Sequence, residues 1–343
     1  MAETRSAGNR DASIALVQSA DTQAIRAAFG GTVTTVRYGE NPHQVGAFVG
    51  DLGKVAQVVS LSASKPASSY NNWLDLDAAI TLMADFLKEG PTAAVLKHGI
   101  PCTLASADTL AKAWMRGLEV DSISPYGGVA IFNQTLDLET AQLVAQLYLD
   151  VVAAPDFAPG VLALFINKTV VKVNSWSLPT VSVRSALGGL LVHERDVAPC
   201  TEHGHTIEKR RWQVATSKAP TEEQTIDLLY AERACKHVKS NAVVLVKDRR
   251  MIAAGAAQPC RVGAVEVAVM RAHTYPKDTV DREGMVMASD AFFPFPDGPE
   301  KAIAGGVVAI VQPSGSRNDK ASIKVCDDAG VAMVFTGIRH FRH

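Results

Sequence analysis

The sequence is poor in the features that announce most function classes. Its five cysteines (Cys102, Cys200, Cys235, Cys260, Cys326) are odd in number and scattered. That argues against a disulfide frame and points to a reducing, cytoplasmic setting. Net charge is nearly absent: 34 Lys+Arg stand against 35 Asp+Glu, a formal charge of −1, so no basic field exists to hold nucleic acid. No apolar run approaches the ~18 residues of a membrane span, and Met1 to Arg10 lack the apolar centre of a leader. Also missing are a phosphate loop, a GxGxxG fingerprint and a GxSxG elbow. Pro101-Cys102 and Pro259-Cys260 each lack the second cysteine of a zinc-deaminase PCxxC, and neither has an HxE partner. His340 and His343 have no companion ligands, so no metal is expected. No internal repeat or low-complexity segment stands out by eye.

What is present is a folded chain of about two domains: 343 residues, 47% hydrophobic and 20% charged. The first ~25 residues read as a loose polar arm. Strands are expected at Val55–Ser60, Thr92–Leu96 and Val129–Phe132, and helices at Asp75–Leu87, Ala105–Arg116 and Asp137–Val152, the last on a stripe of Val144, Leu147, Tyr148 and Val151. Residues 160–210 change character and read as a connector with short strands at Thr169–Val173 and Gly189–Val192. Beyond them, Thr221 with Gln224 forms a capping box opening a helix. Strands follow at Asn241–Lys247, Met251–Ala254, Val307–Val311 and Val331–Thr336. The alternation gives the fold class α/β with largely covered sheets.

Polar residues cluster at the ends of these elements: Arg37-Tyr38-Gly39, Lys97-His98, Lys239-Ser240-Asn241, Gln258 with Arg261, Asp290 to Phe295, and Arg339 to His343. Ligands of open α/β sheets sit at carboxyl strand ends, which favours Lys97 and His98. A single Lys-His pair taken alone is more often solvated surface.

In order and spacing these clusters resemble the transformylase domain of the AICAR transformylase/IMP cyclohydrolase family. The resemblance rests on Arg37-Tyr38-Gly39-Glu40-Asn41-Pro42-His43-Gln44, Tyr70-Asn71-Asn72 with Asp75 and Asp77, Lys97-His98, and Ala154-Pro155-Asp156-Phe157. It continues through Lys236 to Ala242, Ser289 to Phe295, Pro313 to Ser316 and Phe335 to His343. It implies two cytidine-deaminase-like α/β/α units without zinc, at 31–165 and 206–343, with an arm at 1–30 and a connector at 166–205. Only about 35 residues precede Arg37, so the family's cyclohydrolase domain is not expected. The implied reaction moves the formyl group of 10-formyltetrahydrofolate to the 5-amino group of AICAR, giving FAICAR and tetrahydrofolate. It needs no metal, and the sites lie at a homodimer interface. No nucleic-acid or membrane partner is implied.

By the same resemblance Lys97, His98 and Asn241 are catalytic. Arg37, Tyr38, Gly127, Asp150, Arg261, Phe292 and Arg339 bind the nucleotide. Ile123, Val262, Pro294, Phe295, Ser316, Phe341 and His343 form the folate side. The chemistry fits these residue types. The amine is a weak nucleophile that needs a base, the formyl oxygen needs a hydrogen-bonding partner, and a guanidinium fork suits a phosphate. Without the resemblance, Phe292 and Phe293 read equally well as core.

Departures accompany the matches. After Lys-His the family commonly reads x-Asn-Pro-Cys-Gly, whereas here the run is Gly99-Ile100-Pro101-Cys102-Thr103. A glycine-rich turn of the family is here Ala253-Ala254-Gly255-Ala256-Ala257-Gln258-Pro259-Cys260-Arg261. Gly298 stands where vertebrate-type sequences carry Asn. These changes leave open a paralogue acting on an AICAR-like carboxamide nucleotide, such as a C-nucleotide. A catalytically weak nucleotide-binding homologue is a third reading, against which the intact Lys97, His98 and Asn241 count.

Overall fold

The computed structural model describes residue 12 and residues 14–63, 68–196, 212–274 and 281–343. Parts of the expected arm and connector, and Cys200, lie outside these residues. Within the arm, α1 (Ala20–Phe29) is a regular helix whose N-cap Ser19 accepts from the Thr22 N–H, so this stretch is not loose. It leads into a hairpin of β1 (Thr32–Val36) and β2 (Gly46–Gly50).

Two six-stranded sheets follow. The first holds β3 (Ala56–Ser60), β4 (Thr92–Lys97), β5 (Ile100–Ser106), β6 (Val129–Phe132), β7 (Val151–Ala154) and β8 (Thr169–Val173), in the order β3-β8-β7-β6-β4-β5. After a separate hairpin of β9 (Val181–Ala186) and β10 (Gly189–Glu194), the second sheet holds β11 (Gln213–Val214), β12 (Val243–Val246), β13 (Met251–Gly255), β14 (Met285–Ser289), β15 (Val307–Gln312) and β16 (Ala332–Phe335). Its order is β11-β16-β15-β14-β12-β13. Strand for strand the two orders and directions coincide: in each sheet three neighbours run parallel and the flanking strands antiparallel.

The helices repeat as well. α2 (Tyr70–Ala84), α3 (Leu110–Val120) and α4 (Leu138–Ala145) occupy the connections that α5 (Glu222–Cys235), α6 (Arg261–Thr274) and α7 (Asp297–Ala304) occupy in the second half. There α8 (Asp319–Asp328) replaces a single 3₁₀ turn at Val161–Phe165. The duplication is invisible by eye in the sequence.

Period-two alternation assigns the sheet faces. Ala94 and Leu96 of β4 and Val244 and Val246 of β12 point into one core shared by both sheets, α2 and α5. Ala93 and Val95 face an outer core of the first half, and Val243 and Leu245 an outer core of the second. In the shared layer Phe86 meets Tyr230 edge-on at 4.9 Å, a pair worth about 1 kcal/mol beyond its area. The sheet edges touch through a bridge from Ala105 to Arg250.

Further sequence expectations change. The helix expected over Ala105–Arg116 is Leu110–Val120, capped by Thr109, because Ala105 and Ser106 finish β5. The stretch Asp137–Val152 is not one helix: α4 stops at Ala145 and Val151 opens β7. The Asp150 N–H donates to the Gly128 carbonyl, drawing the chain alongside β6. Thr169–Val173 is not connector but the last strand, in chain order, of the first sheet, paired with β3 and β7. Finally, α2 starts at Tyr70, five residues earlier than expected, because Ser69 and Asn72 form a capping box. Among the described residues no helix is long and apolar enough to cross a membrane.

Candidate active site

β4 and β5 are joined by two residues only, with Lys97 paired to Ile100. His98 and Gly99 have φ of 57° and 71°, the geometry of a type I′ turn, which histidine tolerates better than most residues and glycine best. The tip is held from below by Asp75, one turn beyond the capping box of α2. Its Oδ1 accepts from the Gly99 N–H at 2.6 Å, and the His98 N–H adds a second favourable dipole. Burial pushes the Asp75 carboxyl above its ordinary value, against the pull of these N–H groups and of His98 and Lys239. On the same helix Asn72 donates to Asp150 at 3.1 Å.

Lys97 Nζ donates to the Tyr126 carbonyl at 2.8 Å. Tyr126, 59% exposed, stacks on Tyr148 with centroids 4.8 Å apart. The Gly127 N–H donates to the Tyr148 carbonyl at 2.8 Å, and Ile123 is exposed on the same loop. β4 runs antiparallel to β6, so the carboxyl end of β4 stands beside the amino ends of β6 and β7. This reversal sets Lys97 and His98 among Gly127 and Asp150. Arg37 lies over the Tyr38 ring at 4.8 Å and donates to its hydroxyl at 3.1 Å. Tyr38 is joined to α2 through the Tyr70 N–H at 3.2 Å.

A cavity of about 420 Å³ opens between the halves, lined by Lys97, His98, Ile100, Cys102, Ala253 and Gln258 among others. Arg271 of α6 reaches Asp121 of the first half across it, at 3.6 Å. Burial pushes the Cys102 thiol up to about 12, so it is protonated and a poor nucleophile. Of the two departures after His98, Ile100 lines the cavity, but Thr103 does not. The Thr103 hydroxyl accepts from the Val95 N–H at 3.1 Å where the β4–β5 ladder bulges, beside Gly117.

On the second-half side both polar atoms of Asn241 are engaged. Nδ2 donates to the Gln258 carbonyl at 2.8 Å, and Oδ1 accepts from Arg261 at 2.7 Å. Arg261 is buried and also pairs with Asp290, 1% exposed, and with the Ala242 carbonyl. Its guanidinium therefore holds the Asn241 segment, with Val262 half-buried beside it. The altered turn splits in two. Ala253 is buried, whereas Ala257 is exposed at φ 55° and its N–H donates to the Lys239 carbonyl. The retained Gly255 is required: a Cβ there would lie 1.8 Å from the Ala264 carbonyl oxygen.

Phe292 and Phe295 are exposed and Phe293 is fully buried, so the aromatic run is part surface and part core. Gly298 backs onto Phe293, whose ring a Cβ would meet at 2.5 Å. The absence of Asn there is thus matched by local packing. Asn318, two residues after Ser316, donates to the Pro294 carbonyl at 2.6 Å. The C-terminal run is tied to this side by the His340 N–H on the Asp290 carbonyl. Arg339 covers the Phe341 ring at 4.3 Å, and His343 lies 5.6 Å from that ring. The buried His340 ring pairs with Asp196 at 2.7 Å.

The structure thus gathers Lys97 and His98 with Gln258, which carries Asn241. Arg37, Asp150, Arg339 and the Phe292–Phe295 aromatics are not among the residues lining that cavity. Sequence reasoning gave no role to Asp75, Gln258 or the Tyr126–Tyr148 stack. A signal existed for Asp75: Ser69-x-x-Asn72-x-x-Asp75 has a twin in Thr221-x-x-Gln224-x-x-Asp227.

The sequence matches the AICARFT/IMPCHase bienzyme family over residues 6–271. The chain belongs to this family. Among its relatives, a bifunctional purine biosynthesis protein PurH from Ruegeria sp. (strain TM1040) is 40% identical over 332 residues, covering 93% of this chain and 61% of the relative. One from Chloroflexus aurantiacus is 41% identical over 319 residues, 90% of this chain and 59% of the relative. One from Thermoanaerobacter sp. (strain X514) is 40% identical over 314 residues, 90% and 58%. The chain spans about three-fifths of the length of these relatives.

Proposed function

We propose that this member of the AICARFT/IMPCHase family is a formyltransferase of purine biosynthesis. It takes the formyl group of 10-formyltetrahydrofolate to the 5-amino group of AICAR, leaving FAICAR and tetrahydrofolate. The observation that carries the reading is the Lys97-His98 turn facing, across one cavity, the Gln258 segment that holds Asn241. The relatives' purine-biosynthesis names favour AICAR over another carboxamide nucleotide.

In this reading His98 accepts the proton of the attacking amine, and Lys97 donates toward the formyl oxygen and the departing folate nitrogen. Asn241 orients the transferring group. Arg37 and Arg339 bind phosphate, Asp150 the ribose hydroxyls, and Tyr38, Gly127 and Phe292 the rest of the nucleotide; Arg261 supports Asn241. A flat pterin suits the exposed Phe295 and Phe341 rings, with Ile123, Val262, Pro294, Ser316 and His343 around it. Because Arg37, Arg339 and the aromatics do not line the Lys97 cavity, two copies of the chain would complete each site between them. The shared strand order supports two cytidine-deaminase-like units, the first extended through Val173. Neither carries the PCxxC and HxE strings of a zinc deaminase.

The test is a formyl-transfer assay with purified chain, AICAR and 10-formyltetrahydrofolate, followed by folate absorbance and product mass. FAICAR formation that Lys97→Ala abolishes is the expected result; no FAICAR from the folded wild-type chain overturns the reading.

A further inference from the structure

The duplicated fold builds the same turn twice. In the second half Lys247 and Arg250 exchange backbone hydrogen bonds around Asp248 and Arg249, whose φ values are 51° and 54°. Asp227 of α5 accepts from both tip N–H groups at 2.7 Å. Asp227 stands six residues after the N-cap Thr221, as Asp75 stands six after Ser69. Both carboxylates are buried, and burial pushes both above the ordinary carboxyl value. A buried carboxylate under a turn is costly unless it accepts hydrogen bonds, and here turn N–H groups donate to it: Gly99 to Asp75, Asp248 and Arg249 to Asp227.

The two clamps differ in what stands on the turn. Above Asp75 are Lys97 and His98, at the cavity. The stem of Lys239 passes 3.9 Å from where a Gly99 Cβ would stand, and the Lys239 carbonyl takes the Ala257 N–H. Asp75 thus registers the turn against the segment that carries Asn241. Above Asp227 the turn packs on the first half, with the Arg249 carbonyl accepting from the Ser106 N–H and the Asp248 carbonyl from Arg116.

We propose that Asp75 is a positioning residue for transfer: its carboxylate, bonded to the Gly99 N–H next to His98, sets the Lys97-His98 turn at the distance from Asn241 that the reaction needs. This rests on the formyl-transfer reading. Asp227 is its built-in control, the same clamp under a turn away from the cavity.

Asp75→Asn replaces the buried charge with a neutral amide whose NH₂ cannot accept, weakening the hold on the Gly99 N–H, so the tip shifts. Misplacement of about 1 Å can lower a rate ~10²-fold. The expected result is a kcat ~10- to 100-fold lower with KM for both substrates within about threefold, while Asp227→Asn keeps kcat within about twofold. Gly99 amide exchange should quicken in Asp75→Asn alone. Should that variant not fold, Asp75→Glu keeps the charge, displaces it by one methylene and should show the same kcat loss at unchanged KM. Unchanged kcat in the folded Asp75 variant, or an equal loss in Asp227→Asn, overturns the positioning role. A wild-type chain without transfer overturns the functional reading itself.

Discussion

At Lys97–Ile100 and Lys247–Arg250 the chain makes one turn twice, on equivalent strands, over equivalent carboxylates. The first tip looks across a cavity at β13 and the Gln258 turn. The second is tied to the first half, with Arg250 paired to Glu119 at 2.9 Å and Arg249 donating to the Glu89 carbonyl. The local backbone is therefore not what makes one turn a candidate for chemistry. The opposing half decides it, by leaving a cavity beside one tip and bonding to the other.

The comparison breaks most completely if the halves part. Asp85 at the end of α2 joins Lys236 at 3.0 Å and His237 at 2.7 Å, just beyond α5. Asp85→Ala would leave Lys236 buried without this partner, and denaturant unfolding should show a loss of ~3–5 kcal/mol. Next, Lys97→Ala or His98→Ala should lower kcat by ~10²-fold, about 2.7 kcal/mol of transition-state stabilisation. Lys247→Ala, at the equivalent place in the other turn, should leave kcat within about twofold in the same assay. Equal losses would erase the distinction.

Acid sharpens the same seam. Burial pushes the Asp85 carboxyl up, but the His237 hydrogen bond and the Lys236 charge outweigh it and hold the carboxyl at about 2. The contribution is present above the unfolded value near 4 and lost as pH falls through 2, about 2 kcal/mol in all. Burial pushes the His237 pKa down, against the pull of Asp85, so the unfolded chain takes up this proton more readily and stability falls as pH drops below about 6.5. Thermal midpoints should fall below pH 6.5 and again between pH 4 and 2, with the second step reduced in Asp85→Asn. The smallest effects separate the two alanines. Ala253→Gly should lose about 1 kcal/mol, having no φ to relieve, whereas Ala257→Gly, at φ 55°, should gain about 1 kcal/mol. Differential scanning calorimetry reads both.

Much of the fold was legible where a short apolar run meets a turn: Val129–Phe132 is a strand with the expected bounds. It failed where two periods overlap. Val144, Leu147, Tyr148 and Val151 keep helical spacing across a real turn, because Leu147 and Tyr148 pack after the helix has ended. The duplication was hidden because the halves share backbone roles rather than residue types: His98 corresponds to Asp248 and Gly99 to Arg249. At the site, Lys97-His98 was legible as a string. The part of Asp75 showed only as a spacing shared with Asp227, since its partners are N–H groups that every residue carries. Thr103 and Gly298 read as altered site residues, yet they answer to Val95 and Phe293, contacts that no spacing reveals.

The core shared by both sheets bears on synthesis. Leu76, Ala78, Ala79, Ile80, Leu82 and Met83 of α2 are all buried, on more sides than the first sheet alone can cover. Chains emerge from the ribosome amino end first, so α2 waits for α5, about 140 residues behind at ~5–20 residues per second. For ~7–30 seconds the nascent first half presents an apolar helix and the uncovered edge of β5 to its surroundings. That interval is when this protein is most exposed to aggregation and most in need of a chaperone.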